Sequence, residues 1–150
     1  MSVIRRWAAL RWARTEEDRG SGAAAVIIFA VLFLALAGFV VDGGMSISQR
    51  ERAADLAEQA ARYAAQDIDE EALRASGGRN APINYQNCGS RVAAFARESG
   101  LPGAAARCVR ADAQQVEVEV TLSYRPILTG LFYDRELTVR GTSRAESVTG

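Results

Sequence analysis

Gly22 to Val41 reads GAAAVIIFAVLFLALAGFVV, twenty residues without a charge, and the run stops abruptly at Asp42. At about 1.5 Å per residue a helix of that length spans about 30 Å, the hydrocarbon thickness of a bilayer. A buried core helix would need a larger apolar body around it. The residues that follow are polar or mildly amphipathic and could not enclose a segment apolar on every side. A cleaved signal peptide is the rival reading, because Ala35-Leu36-Ala37 offers a small-x-small cleavage pattern. Against it, more than twenty residues precede the run and a helical pattern resumes at once after the site. We therefore expect a retained transmembrane helix over 22–41.

The arginines orient that helix. Arg5, Arg6, Arg11, Arg14 and Arg19 precede it, whereas the twenty residues after it carry only Arg50 and Arg52. The positive-inside rule then puts segment 1–21 in the cytoplasm and the C-terminal portion outside, in a single-pass cell-membrane protein. Trp7 and Trp12 among these arginines read either as an amphipathic segment lying in the interface or as a short solvated tail.

Composition narrows the chemistry. The 18 cationic and 18 anionic side chains cancel, so no basic field points to nucleic acid. The chain has no His and no Lys, which removes the commonest general base and zinc ligand and any Schiff-base step. No nucleophile–base pair or metal cage is visible, so the expectation is no enzyme, no cofactor, no metal and no small-molecule substrate. Asp67, Asp69, Glu70 and Glu71 crowd together, but neighbouring carboxylates on a helix diverge and no Gly-punctuated loop accompanies them. They read as a solvated, exposed acidic helix end. Cys88 and Cys108 fall on the exported side, where an even count suggests a disulfide. Two buried free thiols are the other possibility. A bridge would close a loop of about 20 residues, worth about 3 kcal/mol on the loop-entropy account.

After Asp42, residues 42–75 read as a helical stalk. Gln49 to Arg74 is rich in Ala, Glu, Gln, Arg and Leu and lacks proline. Ala53, Leu56, Ala57, Ala60, Tyr63, Ala64 and Asp67 mark a small-residue stripe at helical spacing, of which the first six are a candidate assembly face. Gly43-Gly44 either breaks this helix just outside the membrane or is tolerated within one long helix. Ser76-Gly77-Gly78 is the expected stop. Residues 76–150 then read as a small domain, with a short helix from about Cys88 to Ser99. From Val116 the period changes to two, and VEVEVTLSY to Tyr124 is a half-buried strand. Ala106–Ala111 and Arg135–Ser143 are its expected neighbours, with the first turn at Ala111–Gln114. The fold class is α+β: a transmembrane helix extending into a long helix, a short second helix, and a three-stranded antiparallel sheet covered by the helices.

Two further features bear on assembly. Pro126–Tyr133 is unusually apolar for a loop. We expect it to plug the open end of the core; otherwise Ile127, Leu131 and Phe132 form an exposed patch for a partner or the membrane surface. Asp42 either marks the interface or pairs with an Arg of a neighbouring anchor.

Arg19-Gly20-Ser21-Gly22, the apolar run, Val40-Val41-Asp42-Gly43-Gly44 and the helix Arg52-Ala53-Ala54-Asp55-Leu56-Ala57-Glu58-Gln59-Ala60-Ala61 together resemble the N-terminal region of TadE/TadG-like proteins of the Tad (Flp) pilus system. Leu137–Ala145 also resembles the small-residue strand that closes TadE-like domains. The resemblance implies a pilin-like long helix and a structural role, as minor pilin, pseudopilin or assembly protein, among other pilus subunits or inner-membrane platform proteins and the lipid bilayer. At 150 residues the chain resembles TadE in size, without room for the metal-binding domain of larger TadG-type proteins. Pilins of this class are cut after a Gly and carry Glu fifth in the mature chain. Here Ile27 stands fifth after Gly22 and Ala25 fifth after Gly20, so the chain is expected to stay uncut. The alternative of another class is a membrane-tethered binding or sensor module unrelated to pili.

Overall fold

The computed structural model describes the backbone of residues 3–132 and 134–147, and side chains from Gly20 onward within those bounds. The tryptophan–arginine segment around Trp7 and Trp12 therefore lies outside the residues whose side chains are described. The elements in chain order are α1 (Val3–Ala65), α2 (Glu70–Ala75), α3 (Cys88–Glu98), β1 (Ala105–Ala111), β2 (Gln115–Tyr124) and β3 (Leu137–Glu146). The chain divides into two compact units, residues 1–41 and 42–150. In the first, the apolar side chains of the uncharged run are exposed, Phe39 at 81%. Within α1, Gly20–Ala65 contains the apolar stretch long enough to cross a membrane.

The second unit is an antiparallel meander in the order β1-β2-β3, covered on one face by helix. Strict alternation along β2 turns Val116, Val118, Val120 and Leu122 inward, all at 2% exposure or less. Each such side chain contributes about 1.5–3 kcal/mol by leaving water. The intervening glutamates lie on the other face and pair across strands, Glu119 with Arg107 at 2.9 Å and Glu117 with Arg144 at 3.4 Å. The Arg107 guanidinium holds the Glu119 carboxyl below its usual range by hydrogen bond and charge. Asp112 closes the first hairpin by accepting from the Gln114 and Gln115 amides, both at 2.9 Å.

The cover comes from α1 and α3, as the exposed apolar face of the sheet requires. Ala53, Leu56, Ala57, Ala60, Ala61 and Ala64 of α1 join Cys88 and Val92 of α3 in one core with the β2 valines and Val139. Small side chains let the helix sit unusually low on the sheet. At β3 the approach is closest: a Cβ added at Gly141 would overlap the Ala53 carbonyl group and the Ala54 amide. The α1 backbone stays helical through Gly43 and Gly44. On its outer side Glu58 and Arg62 form the i,i+4 pair that their spacing predicts.

One boundary differs from expectation. The helix does not run on to Arg74 but ends at Ala65, and α2 starts afresh at Glu70. Tertiary pairing overrides propensity here. Ile68 bridges the buried Ile83, the Asp69 amide donates to the Pro82 carbonyl at 2.9 Å, and the Asn84 amide donates to the Asp67 carbonyl at 2.7 Å. Ile83 in turn donates to Ala113 at 2.8 Å, stitching this crossing to the first hairpin. Asp69 then caps the new helix, accepting from the Glu71 and Ala72 amides at 3.1 and 3.0 Å.

Gly141→Ala in the detergent-solubilised full chain is expected to lower stability by about 1–3 kcal/mol, the usual range for overpacking. Gly89→Ala, on α3 with open space where the Cβ would go, is expected to be neutral or stabilising. Denaturant midpoints of the two variants check this; equal midpoints would refute the close approach. Cys88 and Cys108 are joined with Cα atoms 6.0 Å apart, tying the start of α3 to β1. Reducing that bond should cost about 3 kcal/mol, read as a reductant-dependent drop in the thermal midpoint.

Candidate functional site

The site with the most directed polar geometry is built around Asp42, the first charge after the uncharged run. Its carboxylate accepts the backbone amides of Ile127 at 2.9 Å, Leu128 at 3.1 Å and Thr129 at 2.7 Å. The Thr129 hydroxyl donates to the same group. The three successive N–H groups follow Pro126 in the chain, and a short 3-10 turn lies at Thr129–Leu131. Successive amides converging on one anion make a concave nest, which favours the ionised carboxylate. The Asp42 carboxyl is accordingly lowered from 3.8 to about 2, first by the Thr129 hydroxyl and amide, against an opposing desolvation that outweighs the further help of either the Leu128 or the Ile127 amide. This partner lies 85 to 87 residues away along the chain. Within the described chain, the carboxylate is thus engaged by a loop.

That loop does not plug the core. Pro126 is buried and Leu128 half-buried, but Ile127, Leu131 and Phe132 are 58%, 75% and 83% exposed. The interior is already filled by the β2 valines and the alanines of α1, leaving these three side chains outside. In the sequence they are flanked by Arg125 on one side and Asp134-Arg135-Glu136 on the other. Arg125 reaches Asp134 at 3.5 Å and Glu136 at 3.4 Å, drawing the two ends of the loop together.

The small-residue stripe occupies a different place from the outer face expected of an assembly surface. Ala53, Leu56, Ala57, Ala60 and Ala64 are buried in the domain's own core, because the sheet needs a cover and they form the flattest helical face available. Tyr63, at the edge of that stripe, stays partly open and meets α3. Its ring lies 5.4 Å from Phe95 and carries the Arg91 guanidinium 4.3 Å above it. Arg91 also donates to the Tyr63 carbonyl at 3.2 Å and approaches Asp67 at 3.9 Å. Asp67 is therefore not simply exposed: it is half-buried and also accepts from the Asn87 amide group at 3.1 Å. Among the described residues no group of His, Cys, Asp and Glu is arranged to hold a metal ion.

Sequence reasoning missed Thr129 and the amides of 127–129. Asp42 was visible as an oddly placed charge, but no local pattern links it to a loop so distant in sequence.

Because the folded Asp42 value lies below the unfolded one, its contribution to stability is complete above pH about 4 and disappears as pH falls toward 2. Hydrogen-exchange protection factors at Ile127, Leu128 and Thr129 should follow that window. Asp42→Ala should abolish them at neutral pH while β2 stays protected. Unchanged protection in this variant would refute the nest.

Residues 20–67 match the family model Tad, described as putative Flp pilus-assembly TadE/G-like. No curated protein and no solved structure is significantly similar to the chain. The match takes in the apolar run, Asp42, Gly43-Gly44 and the alanine helix down to Asp67, and suggests a pilus-related role. Over that stretch, from Gly20 to Asp67, the chain is similar to the TadE/G-like family that its motifs resemble.

Proposed function

We propose that this chain is a non-enzymatic, membrane-anchored structural component of a Tad/Flp-type pilus or a related secretion apparatus. The observation that carries the reading is the family match over 20–67 on a helix that passes from an exposed apolar run into the cover of a sheet domain. A helix of that kind belongs in lipid at one end and in a folded body at the other. The arginine bias puts residues 1–21 in the cytoplasm and the sheet domain outside, where the Cys88–Cys108 pair is stable. The work of the protein is then contact with other subunits or platform proteins. With the alanine stripe consumed internally, those contacts fall to the lipid-exposed anchor and to the outer surface of the domain. Exposed Ala23, Ala24, Ala30, Ala35 and Ala37 allow close packing of neighbouring anchors in the membrane. The absence of Glu at the fifth position after either glycine keeps the chain uncut, and so a resident of the membrane.

Mass spectrometry of the membrane-bound protein should recover segment 1–20 intact. A start at Ser21 or Ala23 would instead make it a processed pseudopilin, and a start at Gly38 a secreted protein. Deleting the gene should abolish surface pili without affecting growth; wild-type piliation of the deletion strain would overturn the pilus role.

A further inference from the structure

We propose that loop 126–132 is a second membrane contact, with Ile127, Leu131 and Phe132 seated in the outer headgroup–acyl boundary and Asp42 fixing the loop at that level. The inference rests on the membrane reading of residues 22–41 and goes beyond it. Asp42 is one peptide bond from Val41, the last residue of the uncharged run, so its carboxylate lies at the edge of the hydrocarbon wherever that run spans the bilayer. Hydrogen bonds of 2.7 to 3.1 Å from three consecutive amides bring the loop backbone to the same edge. Within five residues of those amides stand three large apolar side chains at 58–83% exposure. Exposed aliphatic and aromatic side chains are unfavourable in water and favourable about 5–10 Å into an interface. Arg125 and the Asp134-Arg135-Glu136 segment at the loop's two ends supply charges suited to the headgroups, which limits the depth to the boundary. Continuity with the span selects lipid as the occupant over a second protein.

The geometry also assigns Asp42 a positioning role. An anion at this point would ordinarily be hydrated, and the nest replaces that water with amides. One carboxylate thus meets its own hydrogen-bonding need and that of the loop.

The test uses the full chain in phosphatidylcholine–phosphatidylglycerol vesicles, with Trp7→Phe and Trp12→Phe to remove native emission. Phe132→Trp places a reporter in the loop. Tyr85→Trp places a control beside Asp67, about 35 Å farther along if α1 is followed at its usual rise. Brominated lipid should reduce emission at position 132 roughly twofold or more, as expected for a ring at the acyl boundary, and leave position 85 unchanged. Aqueous iodide should do the reverse. Adding Asp42→Ala should bring position 132 to the behaviour of position 85. A chain that floats with the vesicles yet shows iodide access and no lipid quenching at 132 overturns the loop contact alone. Failure to float overturns the anchor and the loop together. Protection from iodide that develops equally in lipid-free detergent as protein concentration rises assigns the loop to a second copy and overturns lipid as its occupant. Lipid quenching unaltered by Asp42→Ala overturns the positioning role.

Discussion

The contact on which the rest of the domain depends is the backbone-level approach of α1 to β3 at Ala53 and Gly141. A helix normally stands off a sheet by the length of its side chains. Here alanines at 53, 57, 60, 61 and 64 are all at 1% exposure or less, and the sheet answers with a residue that has no Cβ. The low helix seals the valines of β2, and the core needs few large residues because the layers are so close. Such packing tolerates little change, since any added methyl group meets backbone instead of a side chain that can rotate away. It also fixes which face of α1 is inward, and so where Asp42, about three turns before Ala53, meets the loop after β2.

The elements whose signals are local were legible in the sequence. VEVEV could only be a half-buried strand, and β2 occupies Gln115–Tyr124. The helix from Cys88 begins where expected and ends one residue early at Glu98, with Gly100 at a φ of 69° just beyond it. The apolar run and the alanine repeat were equally plain. What escaped was decided by partners distant in the chain. Nothing within Gln66–Asp69 announces a break; it exists because Ile68 and the neighbouring amides and carbonyls pair with Pro82–Asn84. Composition alone left open whether Ile127, Leu131 and Phe132 fill a core or face outward. That choice depended on how much volume the alanines and valines had already taken. The stripe read as an assembly face was a true amphipathic signal, and its partner proved to be the sheet of the same chain.

This arrangement separates two jobs that one long helix could be asked to do at once. The stretch matched to the TadE/G-like family, 20–67, holds the apolar run and the alanine face together, yet the second half of it is occupied in covering the sheet. What the chain's own packing leaves uncovered is the exposed apolar run and, on the sheet domain, the charged outer face of β1 and β2.

The position of Gly141 in the last strand has a consequence for the order in which the domain is made. The alanine face of α1 leaves the ribosome early, whereas the strand that packs closest to it follows β1 and β2 in the chain. Until β3 is complete, β2 lacks one of its two neighbours and the stripe lacks its tightest contact. A stalled or prematurely terminated chain would therefore present both an open strand edge and an uncovered apolar helix face, the combination that invites aggregation or proteolysis. Closing the core therefore waits on β3, because Gly141 and Val139 complete the packing against α1 and β2.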